Sequence, residues 1–307
     1  MVTDSEFSDY RSGYVALVGR PNVGKSTLMN ALLEQKVAAV SPRPQTTRVR
    51  QLGILTLDKA QIVLMDTPGM HLPVHKLGEF MNQVAEDSLK DADVIVWLVD
   101  GSAPPAEEDR RIAARIKALK FSPHIFLTLN KMDLVNAELL AERTTAFQTL
   151  LPRAEPIAIS AVTRQNCDVL LDKLLALLPE GGPFFSEDQI TDFYERDIAA
   201  ELIREAALLH LHDEIPHGVA VRVDEFSERS DTSAFIHATI MVDRETHKGI
   251  VIGKGGEMLK RIGSTARVEI EAMSGRKVFL ELRVKVNPNW RNKPDALRWL
   301  GYSRDRD

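Results

Sequence analysis

Between Tyr14 and Leu178, short apolar runs alternate with longer amphipathic stretches, and this alternation limits the fold of the 307-residue chain more than any other feature. The runs lie at Tyr14–Val18, Gln51–Leu57, Gln61–Met65, Val94–Val99, His124–Leu129 and Glu155–Ile159. Helical spacing fills Ser26–Glu34, Lys76–Lys90, Glu107–Leu119, Ala137–Leu150 and Cys167–Leu178. Strands of near-continuous Val, Ile and Leu are buried on both faces, which demands a parallel sheet covered by helices: an α/β doubly wound domain. Gln51–Leu57 and Gln61–Met65 are too close for a crossover helix, so they predict a hairpin with one antiparallel edge strand. No apolar run approaches the ~20 residues of a membrane helix. Met1 to Ser12 is polar and acidic, without the pattern of a secretory signal. The single cysteine, Cys167, excludes an intrachain disulfide framework and fits a reducing cytoplasm.

Pro179-Glu180-Gly181-Gly182-Pro183 breaks both periodicities and predicts a boundary. The expected division is an N-terminal extension (1–12), a first domain (13–180), a linker (181–192) and a second domain (193–307). In the second domain Asp192–Leu211 reads as a helix, Ala220–Phe226 and Ala234–Val242 as strands, Glu257–Glu271 as a helix, Lys277–Val286 as a strand and Asp295–Leu300 as a last helix. This is an α+β pattern. The net charge of −5 conceals a division, because Met241–Asp307 carries 15 Lys+Arg against 9 Asp+Glu. A basic end on an acidic chain suits a polyanionic partner there.

Gly19-Arg20-Pro21-Asn22-Val23-Gly24-Lys25-Ser26 follows the first strand and opens a helix. Its glycines let successive N–H groups, including those of Val23 and Thr27, face a phosphate, with the helix N-terminus behind them. Lys25 would neutralise the β- and γ-phosphates and the Ser26 hydroxyl would ligate Mg²⁺. Asp66-Thr67-Pro68-Gly69 leaves the third strand at the same sheet edge, where Asp66 would hold Mg²⁺ and the Gly69 N–H would reach the γ-phosphate. Asn130-Lys131-Met132-Asp133 identifies the base. Guanine offers N1–H and an exocyclic amine as adjacent donors, both of which Asp133 can accept, whereas adenine has no donor at N1. Asn130 would donate to N7, the Lys131 stem would pack on the base, and Ser160-Ala161 would offer a backbone N–H to guanine O6.

Gln45-Thr46-Thr47-Arg48 precedes the second strand, a position that resembles the effector loop of small GTPases. One threonine there closes on Mg²⁺ and the γ-phosphate, with Thr47 favoured over Thr46. Met70 stands where many GTPases carry a water-orienting glutamine, so slow intrinsic hydrolysis is expected. Arg20, Arg43 and Arg48 are the candidates for an in-site arginine. Asn22 resembles the K⁺ ligand of one branch of the translation-factor-like GTPases, in which K⁺ substitutes for an arginine.

In the second domain Gly253-Lys254-Gly255-Gly256 fits the Gly-x-x-Gly loop of KH domains, where a tight turn lets an RNA backbone approach. Lys254, Lys260 and Arg261 would meet phosphate. Ile250, Val251, Ile252, Leu259 and Ile262 would floor a groove for single-stranded bases. Two strands ahead of the helices suggest the type II topology. Trp290, beside Arg291, either stacks on a base or plugs the core.

With both halves placed, the chain from Tyr14 to Tyr302 resembles the Era family of bacterial ribosome-assembly GTPases. Beyond the nucleotide motifs, the similarity includes Thr67–His71, Leu77-Gly78-Glu79, Gly249–Gly256 and Leu297–Tyr302. The resemblance implies a phosphate-loop GTPase domain followed by a type II KH domain. It also implies GTP-dependent binding to the 3′ end of small-subunit (16S) rRNA during late 30S subunit maturation. A monomer in the cytoplasm, partly peripheral at the inner face of the cell membrane, is the matching expectation. The alternatives from other classes are a constitutive RNA-binding scaffold with a structural nucleotide site and an ATP-using kinase. For the kinase, Asp133 is the wrong base pocket.

Overall fold

The computed structural model describes residues 9–41 and 46–303. The chain forms two compact units. The first comprises Met1–Lys36, Thr47–Leu72 and Met81–Asp192, and the second Val37–Thr46, Pro73–Phe80 and Phe193–Asp307.

The first unit is a six-stranded sheet, β1 (Arg11–Val18), β2 (Gln51–Leu57), β3 (Ala60–Asp66), β4 (Val94–Asp100), β5 (His124–Asn130) and β6 (Glu155–Ala158). Their order is β2-β3-β1-β4-β5-β6. Only the β2–β3 pair is antiparallel, which is the expected hairpin at one edge. The helices are α1 (Lys25–Leu33), α2 (Lys76–Asp91), α3 (Glu107–Lys117), α4 (Ala137–Gln148) and α5 (Cys167–Leu177). Every residue of β4 is buried, as a strand covered on both faces requires. The chain leaves β1 first towards β3 and then towards β4 on its other side. This reversal opens a crevice beyond the carboxyl end of β1, where such sheets bind ligands.

Two expected boundaries move. Arg11 and Ser12 are not extension but the start of β1, in register with Ala60 and Gln61. The stretch 181–192 is not a free linker either. Gly181 N–H donates to Tyr10 C=O (3.0 Å) and Ile54 N–H to Ile190 C=O (2.9 Å). The Gln61 carboxamide accepts from Phe184 and Phe185 N–H (2.8 and 3.0 Å), and Asp192 accepts Leu52 N–H at 2.8 Å. The reason is the outer edge of β2, whose backbone groups need partners that an irregular strap can supply without any hydrophobic period.

The second unit orders α6 (Glu195–His210), β7 (Ala220–Ser230), β8 (Ser233–Val242), α7 (Glu245–Ile252), α8 (Glu257–Ser274), β9 (Lys277–Val286) and α9 (Pro294–Trp299). Its sheet runs β7-β8-β9, with β9 parallel to β8. Helices α6 and α8 pack together, α6 also on β7 and α8 on β9. Helix α7 is absent from the sequence reading, because Gly249 and the β-branched Ile250-Val251-Ile252 run disguise it. Trp290 is fully buried, and its indole N–H donates to Gly218 C=O at 2.9 Å. Of the two readings the core plug is therefore the one realised. Trp290→Ala is expected to lower stability by about 3–5 kcal/mol, read by urea denaturation, and Trp290→Phe to lose less. A near-neutral Trp290→Ala would contradict this placement.

Candidate functional site

The first site begins where β1 ends. Gly24 has φ 102°, and a Cβ there would stand 2.3 Å from the Asn130 amide nitrogen. At Gly19 a Cβ would meet Leu98 C=O at 2.3 Å, so the loop admits glycine alone at both positions. Asn22, exposed and with φ 64°, forms the outer bend, while Val23 is buried beneath it and Thr27 is half-buried in α1. Lys25 is buried and donates to Gly19 C=O (3.2 Å) and Arg20 C=O (3.1 Å). Burial pushes its amine down to about 8, with Arg20 adding to the fall and Asp66 resisting it.

The end of β3 supplies the acid. Asp66 is fully buried, and its Oδ2 accepts from Ser26 Oγ at 2.6 Å and Thr47 Oγ1 at 3.0 Å. The two hydroxyls lie 3.0 Å apart. Burial raises the Asp66 carboxyl above its usual range, against the pull of Lys25 and the hydroxyls. Its Oδ1 is buried with no hydrogen-bond partner among the described residues. An orphaned carboxylate oxygen beside two hydroxyls is a hard, all-oxygen donor set, which fits Mg²⁺.

Thr46 and Thr47 separate in the structure. Thr47 joins the Asp66 cluster, whereas Thr46 Oγ1 faces Ser41 C=O at 3.5 Å. Arg48 is buried, and Gln45 and Arg43 lie outside the described residues. Arg20 is ion-paired with Asp100 (3.6 Å) and Asp109 (3.4 Å). Thr67 donates to Leu17 C=O at 2.7 Å and anchors the turn, with Pro68 and Gly69 buried behind it. At Gly69 a Cβ would clash with Pro21 N at 2.6 Å, so this turn lies directly on the phosphate loop. Met70 N–H donates to Gly19 C=O (3.3 Å) and its side chain is buried in the apolar core.

Asn130, at the end of β5, is the knot of the base end. Its amide donates to Val23 C=O (2.8 Å) and its oxygen accepts Ala161 N–H (2.9 Å), binding the phosphate loop to the loop after β6. Ser160 N–H donates to Gln165 C=O at 3.0 Å, so a donor for guanine O6 has to be shared from Ala161. Lys131, with φ 67°, reaches Asp100 at 2.7 Å. Burial alone would raise Asp100, but Lys131 and Ser102 hold it low and hence charged. Asp133 is exposed and makes no hydrogen bond among the described residues. Exposed Leu134 and Val162, next in chain to Asp133 and Ala161, escaped sequence reading because no motif contains them.

The second site is the Gly253–Gly256 turn between α7 and α8. At Gly253 (φ 74°) a Cβ would meet Met258 N at 2.8 Å, while Gly255 (φ 62°) and Gly256 (φ 83°) face open space. Lys254, Lys260 and Arg261 are exposed and in no ion pair among the described residues. A groove of about 480 Å³ lies between α8 and β9, lined by Gly256, Leu259, Lys260, Gly263, Arg267, Phe279, Leu280 and Leu282. Ile250 is half-exposed and Ile252 partly so, but Val251 and Ile262 are fully buried and cannot floor it. Trp290 in the core and Arg291 bonded to Asp243 at 2.8 Å are not among the residues lining this groove, whereas Arg267, Phe279, Leu280 and Leu282 are. Leu280 and Leu282 lie on the regular apolar face of β9 and so have the pattern of ordinary core positions, while Phe279 stands alone on the face of Lys277, Glu281, Arg283 and Lys285.

Fold and sites together define a phosphate-loop GTPase domain joined to a type II KH domain. The family described as 50S ribosome-binding GTPase matches residues 14–131, and the KH domain family matches residues 214–291. GTPase Era of Ruminiclostridium cellulolyticum is 47% identical over 298 residues, spanning 97% of this chain and 99% of that protein. GTPase Era of Caldicellulosiruptor saccharolyticus is 48% identical, with 96% and 98% covered. A crystal structure of Era in complex with MgGDPNP and nucleotides 1506–1542 of 16S ribosomal RNA superposes with a TM-score of 0.91 at 41% identity, covering 96% of this chain and 99% of that one. A crystal structure of an Aquifex aeolicus Era variant bound to GDP·AlF4⁻ gives 0.90 at 41% identity, with 95% and 99% covered. The chain belongs to the Era family of GTPases.

Lys25→Ala is expected to weaken GDP and GTP binding roughly hundredfold or more, since a polyanion would face a loop without its cation. Wild-type nucleotide affinity is expected to fall as pH rises through about 8, because the free protein loses the proton that bound phosphates retain. Calorimetry checks both. Unchanged affinity in the variant, or an affinity flat from pH 7.5 to 9.5, would contradict the placement.

Proposed function

We propose that this chain is a GTP-hydrolysing switch that binds the 3′ end of 16S rRNA and assists maturation of the 30S subunit in the cytoplasm. The observation that carries the reading is the pairing, on one chain, of the Asp66–Ser26–Thr47 cluster with an open Gly253–Gly256 turn beside an apolar, cationic groove. The likeness to Era bound to MgGDPNP and a 16S rRNA segment supports it. No helix among the described residues is long and apolar enough to cross a membrane.

In this reading the Val23–Thr27 amides and Lys25 hold the phosphates. Ser26, Thr47 and Asp66 hold Mg²⁺, which when bound neutralises phosphate charge. Bound Mg²⁺ would satisfy the Asp66 oxygen that otherwise lacks a partner. Gly69 N–H reaches the γ-phosphate, and Thr47 orders with GTP and loosens with GDP. Asp133 accepts the two guanine donors, Asn130 adds N7, and the Lys131 stem covers the base. Met70 faces the core and cannot orient water, so hydrolysis is slow without help. K⁺ held by Asn22 is the cation we assign to that role. On the RNA side, Lys254, Lys260, Arg261 and Arg267 meet phosphates while Leu259, Leu280 and Leu282 meet bases.

Asp133→Asn is expected to cost roughly hundredfold in GTP affinity and to raise affinity for xanthosine triphosphate, whose carbonyl matches the new amide donor. A variant that keeps its guanine preference would refute the base geometry. Gly255→Asp places a carboxylate on the open turn, at a positive φ that Asp tolerates. It is expected to cut affinity for a labelled 3′-terminal 16S rRNA oligonucleotide about tenfold, with only a small fall in melting temperature from the positive φ. A wild-type isotherm would count against the KH site.

A further inference from the structure

The turn that carries Gly69 continues through Met70 and His71 in neither helix nor strand, so no regular ladder serves its backbone groups. At His71 one side chain serves both of them. Asn82 Oδ1 accepts His71 N–H at 3.2 Å, and Asn82 Nδ2 donates to His71 C=O at 2.7 Å. A carboxamide carries the donor and the acceptor of a peptide group, so the pair imitates one rung of an antiparallel sheet. The His71 ring folds back on the same turn. Its Nδ1 lies 2.9 Å from Gly69 C=O, and because a carbonyl only accepts, the ring nitrogen donates.

Asn82 stands on a firm base. It is buried on α2 beside Met81 and ahead of Ala85 and Leu89, all three of which are buried as well. Ala85 and Leu89 share an apolar cluster with Met70. The turn is thus fastened at three points within the first unit: Met70 N–H on Gly19 C=O, the Met70 side chain in the core, and the His71 backbone on Asn82. We infer that Asn82 is a positioning residue for the γ-phosphate, holding His71, and through it Gly69, where the Gly69 N–H meets that phosphate. The inference rests on the reading above, in which Gly69 N–H reaches the γ-phosphate, and it names the side chain that keeps the turn ready. GDP has no γ-phosphate and draws nothing from the position of the turn. A loosened turn has to be ordered before it binds GTP, and that entropy is subtracted from GTP affinity alone.

The test is an equilibrium titration of the full-length chain with fluorescent GDP and with a fluorescent non-hydrolysable GTP analogue, each variant's melting curve being recorded beside it. Asn82→Ala is expected to weaken the analogue about tenfold, the scale of one or two neutral hydrogen bonds, and to leave GDP within twofold. Asn82→Asp is close to isosteric and still accepts His71 N–H, but it sets an oxygen against His71 C=O. It is expected to show the same selective loss, and it decides the matter if Asn82→Ala does not fold. Asn82→Gln keeps both groups one methylene further out and is expected to recover part of the loss. In a Gly69→Ala background, where the added Cβ would meet Pro21, neither Asn82→Ala nor Asn82→Asp adds to the loss of analogue binding already present. Equal losses for GDP and analogue, wild-type analogue binding in both variants, or a full further loss in the Gly69→Ala background would overturn the anchor. Gly69→Ala itself leaving the analogue untouched would remove the reading beneath it, and both would fall.

Discussion

The Asp66 carboxylate is the constraint on which the nucleotide crevice depends. It is taken fully out of water at the end of β3, a cost that burial imposes on any charge and that only partners or protons offset. Three groups answer it: the Ser26 and Thr47 hydroxyls on one oxygen, and the Lys25 ammonium through space. They come from two separate segments, the phosphate loop and the stretch at Thr47, so meeting the demand of one carboxylate at the end of β3 brings phosphate loop, Thr47 and β3 to one point. The second oxygen remains unpartnered among the described residues, which is the condition a divalent cation relieves. Lys25 carries the complementary strain, since the same burial that lifts Asp66 lowers its amine to about 8. Each is uncomfortable without a triphosphate and its metal, and that discomfort is available as binding free energy.

The rest of the crevice is built so that this point does not drift. Asn130 spends its amide on Val23 and its oxygen on Ala161, fastening base end to phosphate end through one side chain. Gly24 lies so close beneath that amide that no Cβ fits. Met70 points inward, which ties the turn after Asp66 to the apolar core but leaves the crevice without a water-orienting side chain there.

Much of this was legible in the chain because it is local. A glycine loop between strand and helix, an acid at a strand end and Asn130-Lys131-Met132-Asp133 each need only their neighbours to be recognised, and β2 and β9 lie where their apolar runs place them. What was not legible depends on partners distant in sequence. Trp290 among Arg291 and Lys293 has the look of a base-stacking residue, yet its partner is the Gly218 carbonyl 72 residues away. Val251 in a β-branched run beside a glycine has the look of a strand or groove floor, yet it is the buried face of α7. The strap 181–192 has no period because its role is to meet the backbone edge of β2. Thr46 and Thr47 are chemically alike, and only the approach of Asp66 separates them.

A switch of this kind has to make its nucleotide state felt in the RNA groove. The most direct measurement is the affinity of the wild-type chain for a single-stranded 3′-terminal 16S rRNA oligonucleotide, in K⁺ buffer with Mg²⁺, once with GDP and once with a non-hydrolysable GTP analogue. RNA binding is expected to be tighter with the analogue, the ratio of the two dissociation constants giving the coupling free energy. Equal affinity in the two states would contradict it and leave two independent modules on one chain.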